Sequence, residues 1–174
     1  MDHEHHHNHN PEKIDYTKEY FKFALVLLFI LTLTALLVFN TENTFMNWMR
    51  GIMGYFFLVF SLFKLFNIKE FADAFSGYDI VAKRIRLYGY VYPFIELALG
   101  IFFITNFEPF LTNSITAVVM FVSLIGVLNS FRRKIKCACL GTVINLPLSN
   151  ITVVEDLGMG LMALLSLLLI TINY

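Results

Sequence analysis

The sequence predicts an all-α protein, a polytopic bundle of transmembrane helices, and three observations carry that expectation. Of 174 residues, 57% are hydrophobic and only 15% are charged, whereas a water-soluble domain of this size carries roughly a quarter charged residues. The apolar residues are gathered into five runs of about 20, the length a helix needs to cross a bilayer. None of the five alternates with the two-residue period of a barrel strand, which leaves the helix as the way to satisfy backbone groups in lipid.

Residues 1–19 read as a polar, histidine-rich tail, and residues 20–174 as one membrane domain without internal repeats. The first span, about 20–39 (FKFALVLLFILTLTALLVF), is too long for a cleavable signal and lacks a small-x-small cleavage site, so it reads as a retained anchor. The second span, about 45–66, carries Arg50 and Lys64 near its ends. Phe71 and Phe75, with Lys69, Glu70 and Asp73, read as a short amphipathic segment on the cytoplasmic surface. The third span, about 87–107, contains Pro93 and Glu96, and the fourth covers about 110–131.

A longer, partly apolar connection follows, in which Pro147 breaks any helix, and a re-entrant or interface-lying path fits its composition. The fifth span, about 153–172, is introduced by Thr152 and Glu155 in capping-box spacing, with Asp156 beside the positive helix terminus. Gly51, Gly54, Gly89, Gly100, Gly126, Gly158 and Gly160 mark places where helices can approach closely. Trp48 and the set Tyr88, Tyr90 and Tyr92 lie near span ends, as an aromatic belt does.

Thirteen basic and thirteen acidic residues cancel, which excludes a basic nucleic-acid binder and leaves the lipid bilayer as the first partner. Lys13, Lys18 and Lys22 precede the first span. Lys64, Lys69, Lys83, Arg84 and Arg86 surround the loop between spans two and three, and Arg132, Arg133, Lys134 and Lys136 follow span four. The opposite loops hold no lysine or arginine, and Arg50 is the one exception. The positive-inside rule then gives a protein of the cell (inner) membrane with a cytoplasmic N-terminus and an outer C-terminus.

Glu96 is the most informative single position, because an ionised carboxylate near mid-span is costly without a partner. Counted from the span ends, Arg50 lies about five residues deep and Glu96 about ten from the same face, a gap of roughly 7–8 Å. The expectation is an Arg50–Glu96 pair inside the bundle, either fixing helix register or forming a polar centre near a quinone, thiol or ion site.

Cys137 and Cys139 form C-A-C-L-G directly after the basic run, and adjacent cations enrich the thiolate. Such a pair can cycle between dithiol and oxidised forms, or chelate a soft ion such as copper or mercury. Structural disulfides are rare on the cytoplasmic side, where the charge rule puts these residues. His3, His5, His6, His7 and His9 in the tail can bind metal weakly and without fixed geometry, or simply be solvated.

The chain also resembles a known family. R-G-x-x-G from Arg50, S-L-F-K at Ser61–Lys64, F-x-x-x-F at Phe71–Phe75 and E-L-A-L-G at Glu96–Gly100 resemble DoxX-like membrane proteins. Y-D-I-V-A-K at Tyr78–Lys83, Y-P-F-I-E-L at Tyr92–Leu97 and C-A-C-L-G at Cys137–Gly141 are similar to the methylamine-utilisation MauE branch. The resemblance implies a four-helix DoxX-like core, here with one further span, and a redox-associated accessory protein rather than a stand-alone enzyme. It implies Arg50, Lys64 and Glu96 at the family's polar positions, Cys137 and Cys139 as redox residues, and a redox protein or maturing enzyme as partner. A quinone or a soft metal ion such as copper is the cofactor this would suit. Two other readings stand beside it: a copper- or mercury-handling membrane protein using the histidine tail and the cysteines, and a structural membrane subunit without chemistry. Disulfide maturation of a periplasmic enzyme suits outward-facing thiols, whereas the charge rule turns them inward.

Overall fold

The structure is a computed structural model that describes residues 16–77, 79–130 and 148–172. Among the described residues there are six α-helices and no strand: α1 (Tyr16–Phe39), α2 (Phe45–Phe66), α3 (Ile68–Phe75), α4 (Arg86–Thr105), α5 (Pro109–Ser130) and α6 (Leu148–Ile172). Five of them, all but α3, are long and apolar enough to cross a membrane.

Local chemistry sets the helix ends. Thr44, extended at φ −109° and ψ 152°, caps α2 by accepting the Asn47 N–H at 3.3 Å. The Asn47 amide donates to the Glu42 carbonyl at 2.7 Å and the Trp48 indole to Asn43 Oδ1 at 2.9 Å, tying the preceding loop to the first turn. Asn106 closes α4 in the left-handed region at φ 56°, its N–H and that of Phe107 returning to Phe103 and Phe102 carbonyls. Pro109 then opens α5, at the position where its missing N–H costs nothing. Inside α1, Thr32 and Thr34 donate their hydroxyls to carbonyls four residues back, so neither is left unbonded among apolar neighbours.

The start of α6 corrects the capping-box expectation. The helix begins at Leu148, directly after Pro147 in sequence, so Thr152 and Glu155 lie inside it and cannot supply its first cap.

α2 is the central helix, packed between α1 and α4, while α5 and α6 pair with each other. α2 and α4 run antiparallel, and two glycines set their register. A Cβ on Gly100 would lie 2.9 Å from the Leu58 backbone nitrogen and 3.0 Å from the Gly54 carbonyl oxygen, so there the two backbones approach directly, while Gly54 makes room for the Ile104 side chain, whose Cδ1 would lie 2.6 Å from an added Cβ. Gly158, by contrast, has nothing within 4 Å of an added Cβ, and it does not mark a close approach.

The core joins Met53, Phe57 and Phe60 of α2 to Leu99 and Phe103 of α4, Met120 of α5 and Met159 of α6. Around it the distribution is inverted relative to a soluble protein. Leu28, Phe94, Val118 and Leu168 are more than half exposed, whereas Lys64, Glu96, Asn113, Ser123 and Asp156 are buried. That arrangement suits a hydrocarbon solvent. α3 folds back onto α4 rather than lying free: Phe71 and Phe75, both 2% exposed, pack on Tyr92, while Lys69, Glu70 and Asp73 face outward. Arg86 at the start of α4 pairs with Asp73 on that outer side.

Candidate functional site: a buried lysine–glutamate centre

Glu96 is 3% exposed, and its partner is Lys64. The lysine Nζ contacts both carboxylate oxygens, at 2.5 Å to Oε1 and 2.6 Å to Oε2. Tyr92, one turn earlier on α4, also hydrogen-bonds the Glu96 carboxylate. The ammonium sits 5.2 Å from the Tyr92 ring centroid and 5.5 Å from that of Phe71, near enough for a cation–π contribution. Phe75 completes the aromatic wall, 4.5 Å from Tyr92 and 5.1 Å from Phe71 between centroids.

The expected Arg50–Glu96 pair is therefore corrected, and the register explains why. With Gly100 against Leu58 and Gly54 against Phe103, Glu96 stands level with about Ser61 of α2. Lys64 is three residues from that level, about 4.5 Å along the axis, and Arg50 is eleven residues away, about 16 Å. Counting depth from the span ends assumed level helix termini. The first two turns of α2 instead project past the end of α4. Arg50 lies at the opposite end of the bundle, lining a separate cavity with Asn106 and Asn113.

A second polar pair faces the first. Asp156 of α6, 8% exposed, accepts the Ser123 hydroxyl of α5 at 2.9 Å. The Lys64–Glu96 pair, Ser123, Glu155 and Asp156 line one cavity of about 20 Å³ together with Phe60 and Met159. That volume holds a single water molecule. Glu155 and Asp156, expected at the helix start as a capping-box partner and a dipole charge, instead line this cavity, with Asp156 buried and Glu155 half-buried. The signal that could have found Asp156 is the one that exposed Glu96: a carboxylate inside an apolar helix.

Asp79 lies just outside the spans, between α3 and α4, and is 1% exposed. Its Oδ1 accepts the N–H groups of Val81 at 2.9 Å and Ala82 at 2.8 Å, closing the turn that leads into α4. Burial pushes its carboxyl above the ordinary carboxylate range, against the opposing pull of those amides and of Lys83.

Chemically, the site offers an ammonium and a carboxylate in one short, doubly hydrogen-bonded contact and a second acid across a water-sized gap. Side chains from five helices converge there, and its polar groups come from α2, α4, α5 and α6. The space does not fit a quinone ring. No group of three histidine, cysteine, aspartate or glutamate side chains able to hold a metal occurs among the described residues. Cys137, Cys139 and the five histidines lie outside the described residues.

The family described as Methylamine utilisation protein MauE matches residues 20–170. The chain belongs to the MauE family. The match runs through all five apolar helices and takes in Lys64, Glu96, Ser123 and Asp156. Comparison with curated proteins and with solved structures gave no match. As a MauE-family chain with five helices of membrane-crossing length, it is an integral membrane protein, and the lipid bilayer is its solvent.

Proposed function

We propose that this chain is a membrane-embedded redox-accessory protein that supports thiol–disulfide exchange during the maturation of a partner enzyme, in the manner of methylamine utilisation. The observation that carries the reading is the buried Lys64–Glu96 contact, 2.5 Å long, among apolar helices. Fixing helix register requires no charge in lipid, because the glycine contacts of α2 and α4 already set it. A charged pair beside a second acid suits proton handling, and thiol chemistry moves protons.

In this reading Cys137 and Cys139, on the chain that joins α5 to α6, are the exchange pair. One thiolate attacks a sulfur of the partner's disulfide and releases a partner thiolate. The second cysteine then displaces the mixed disulfide, leaving Cys137–Cys139 oxidised and the partner reduced. The reverse sequence oxidises the partner, and in either direction two electrons and two protons are exchanged one for one. The cations Arg132, Arg133, Lys134 and Lys136 favour the thiolate, and the Lys64–Glu96 centre buffers the accompanying protons. The N-terminus is cytoplasmic and the C-terminus outside, in the inner membrane, by the charge distribution. Residues 1–19 are a tail and 20–174 the working domain.

Alkylation of the cysteines in native membranes tests the reading. Thiols that react only after reduction, with no effect of chelator, are the expected result. Thiols protected by Cu(I) and exposed by a chelator would instead establish the metal-handling role, with the histidine tail as collector.

A further inference from the structure

At the end of the bundle away from α3, a cavity of about 50 Å³ is lined by Arg50 together with Asn47, Asn106, Thr112, Asn113 and Ser166. Arg50 is its only formal charge. The Arg50 Nε is buried and has no hydrogen-bond partner, and no carboxylate pairs with this guanidinium among the described residues. Asn113 is 3% exposed; its Nδ2 donates to the Pro109 carbonyl at 2.7 Å, which fixes the amide and leaves Oδ1 without a partner. The Thr112 hydroxyl is already spent on the Phe107 carbonyl. Ser166, 4% exposed, brings a further hydroxyl from α6.

A guanidinium inside a membrane span calls for a counter-charge, and its planar fork matches the paired oxygens of an oxyanion. The volume is far too small for a ring-sized ligand and large enough for one small group with its bound water. Arg50 also lies only about 8 Å along α2 from its first residue, a depth that a group at the bilayer surface can reach.

We propose that this cavity binds a single oxyanion group, a phosphate or a carboxylate, with Arg50 as its counter-ion. Asn113 Oδ1 accepts from a protonated ligand oxygen or from its water. The group comes either from an anionic phospholipid headgroup or from a free ion, and the two sources are separable by experiment.

The full chain in maltoside micelles is titrated with sodium phosphate against sodium chloride at equal ionic strength. Binding is read from thermal unfolding and from the fluorescence of Trp48, the only tryptophan. In parallel, the protein in nanodiscs of phosphatidylcholine with phosphatidylglycerol is examined by native mass spectrometry for retained anionic lipid. A saturable phosphate response weakened at least tenfold by Arg50→Gln, and by the cavity-filling Ser166→Leu, upholds a free oxyanion. Retention of phosphatidylglycerol by the wild type, lost in both variants, upholds a headgroup. Removing an uncompensated charge should also raise the anion-free melting temperature of Arg50→Gln. Variants that match the wild type in both arms, or a chloride response equal to that of phosphate, would overturn the proposal. Ser166→Leu decides the matter should Arg50→Gln fail to accumulate.

Discussion

Breaking the Lys64–Glu96 contact should cost far more one residue at a time than both together. Nζ meets the two carboxylate oxygens at 2.5 and 2.6 Å, and the residues are 7% and 3% exposed, so neither charge can turn to water when its partner is lost. Lys64→Met keeps the length of the side chain and strands the carboxylate; Glu96→Gln keeps the shape and strands the ammonium. Each should destabilise by about 3–5 kcal/mol, the usual cost of orphaning one half of a buried pair. For a chain of this size that corresponds to a fall in melting temperature of ~6–20 °C. The double variant Lys64→Met/Glu96→Gln removes both charges and should lie within about 2 kcal/mol of the wild type. The coupling is then about 4 kcal/mol or more. Unfolding in mixed micelles titrated with sodium dodecyl sulfate measures all four corners of the cycle. A double variant whose loss equals the sum of the singles would refute the reasoning. The same cycle between Arg50 and Glu96 should give coupling below about 0.5 kcal/mol, as expected of sites without a shared partner.

Gly100→Ala places a methyl 2.9 Å from the Leu58 backbone nitrogen and should cost about 1–3 kcal/mol by forcing α2 and α4 apart, whereas Gly158→Ala meets nothing within 4 Å and should stabilise α6 by up to about 1 kcal/mol; melting temperatures of the two variants check the contrast. Asp79 supplies a pH dependence. Its folded-state pKa is raised, so the folded chain holds the proton more tightly than the unfolded one. Stability therefore falls as pH rises from the unfolded value, about 3.9, to the folded value, and is flat above it. Asp79→Asn, which can still accept the Val81 and Ala82 amides through its oxygen, should remove that slope in proteolysis of the 79–85 turn between pH 4 and 7.

Much of this fold was legible because lipid simplifies the code. A run of about 20 apolar residues has one solution in a bilayer, and the five expected spans agree with α1, α2, α4, α5 and α6 to within a few residues at most ends. The exception is the start of α6, which already includes Leu148 and so precedes the Thr152–Glu155 spacing expected to cap it. Glu96 was legible as a buried charge in need of a partner because its cost does not depend on knowing its neighbours. Its partner was not legible. By position Lys64 was a basic residue near a span end, the family resemblance set it among the polar positions without pairing it, and the contact of Gly100 with Leu58 sets the register that brings it to Glu96. Asp156 and Ser123 were hidden for a related reason. With the start of the fifth span expected at about 153, the helix dipole gave Asp156 a sufficient explanation; with α6 running from Leu148, it is a carboxylate inside an apolar helix, buried against Ser123 of α5.

The link between the buried pair and the cysteines is tested most directly in the double variant Lys64→Met/Glu96→Gln, which should keep its fold while losing its charges. The rate at which Cys137 and Cys139 exchange with an added aromatic disulfide is measured in membranes, by mass spectrometry of alkylated protein. Exchange at least tenfold slower than in the wild type, at equal accumulation, is the expected result. An unchanged rate would mean that Lys64 and Glu96 brace the helices and take no part in the chemistry.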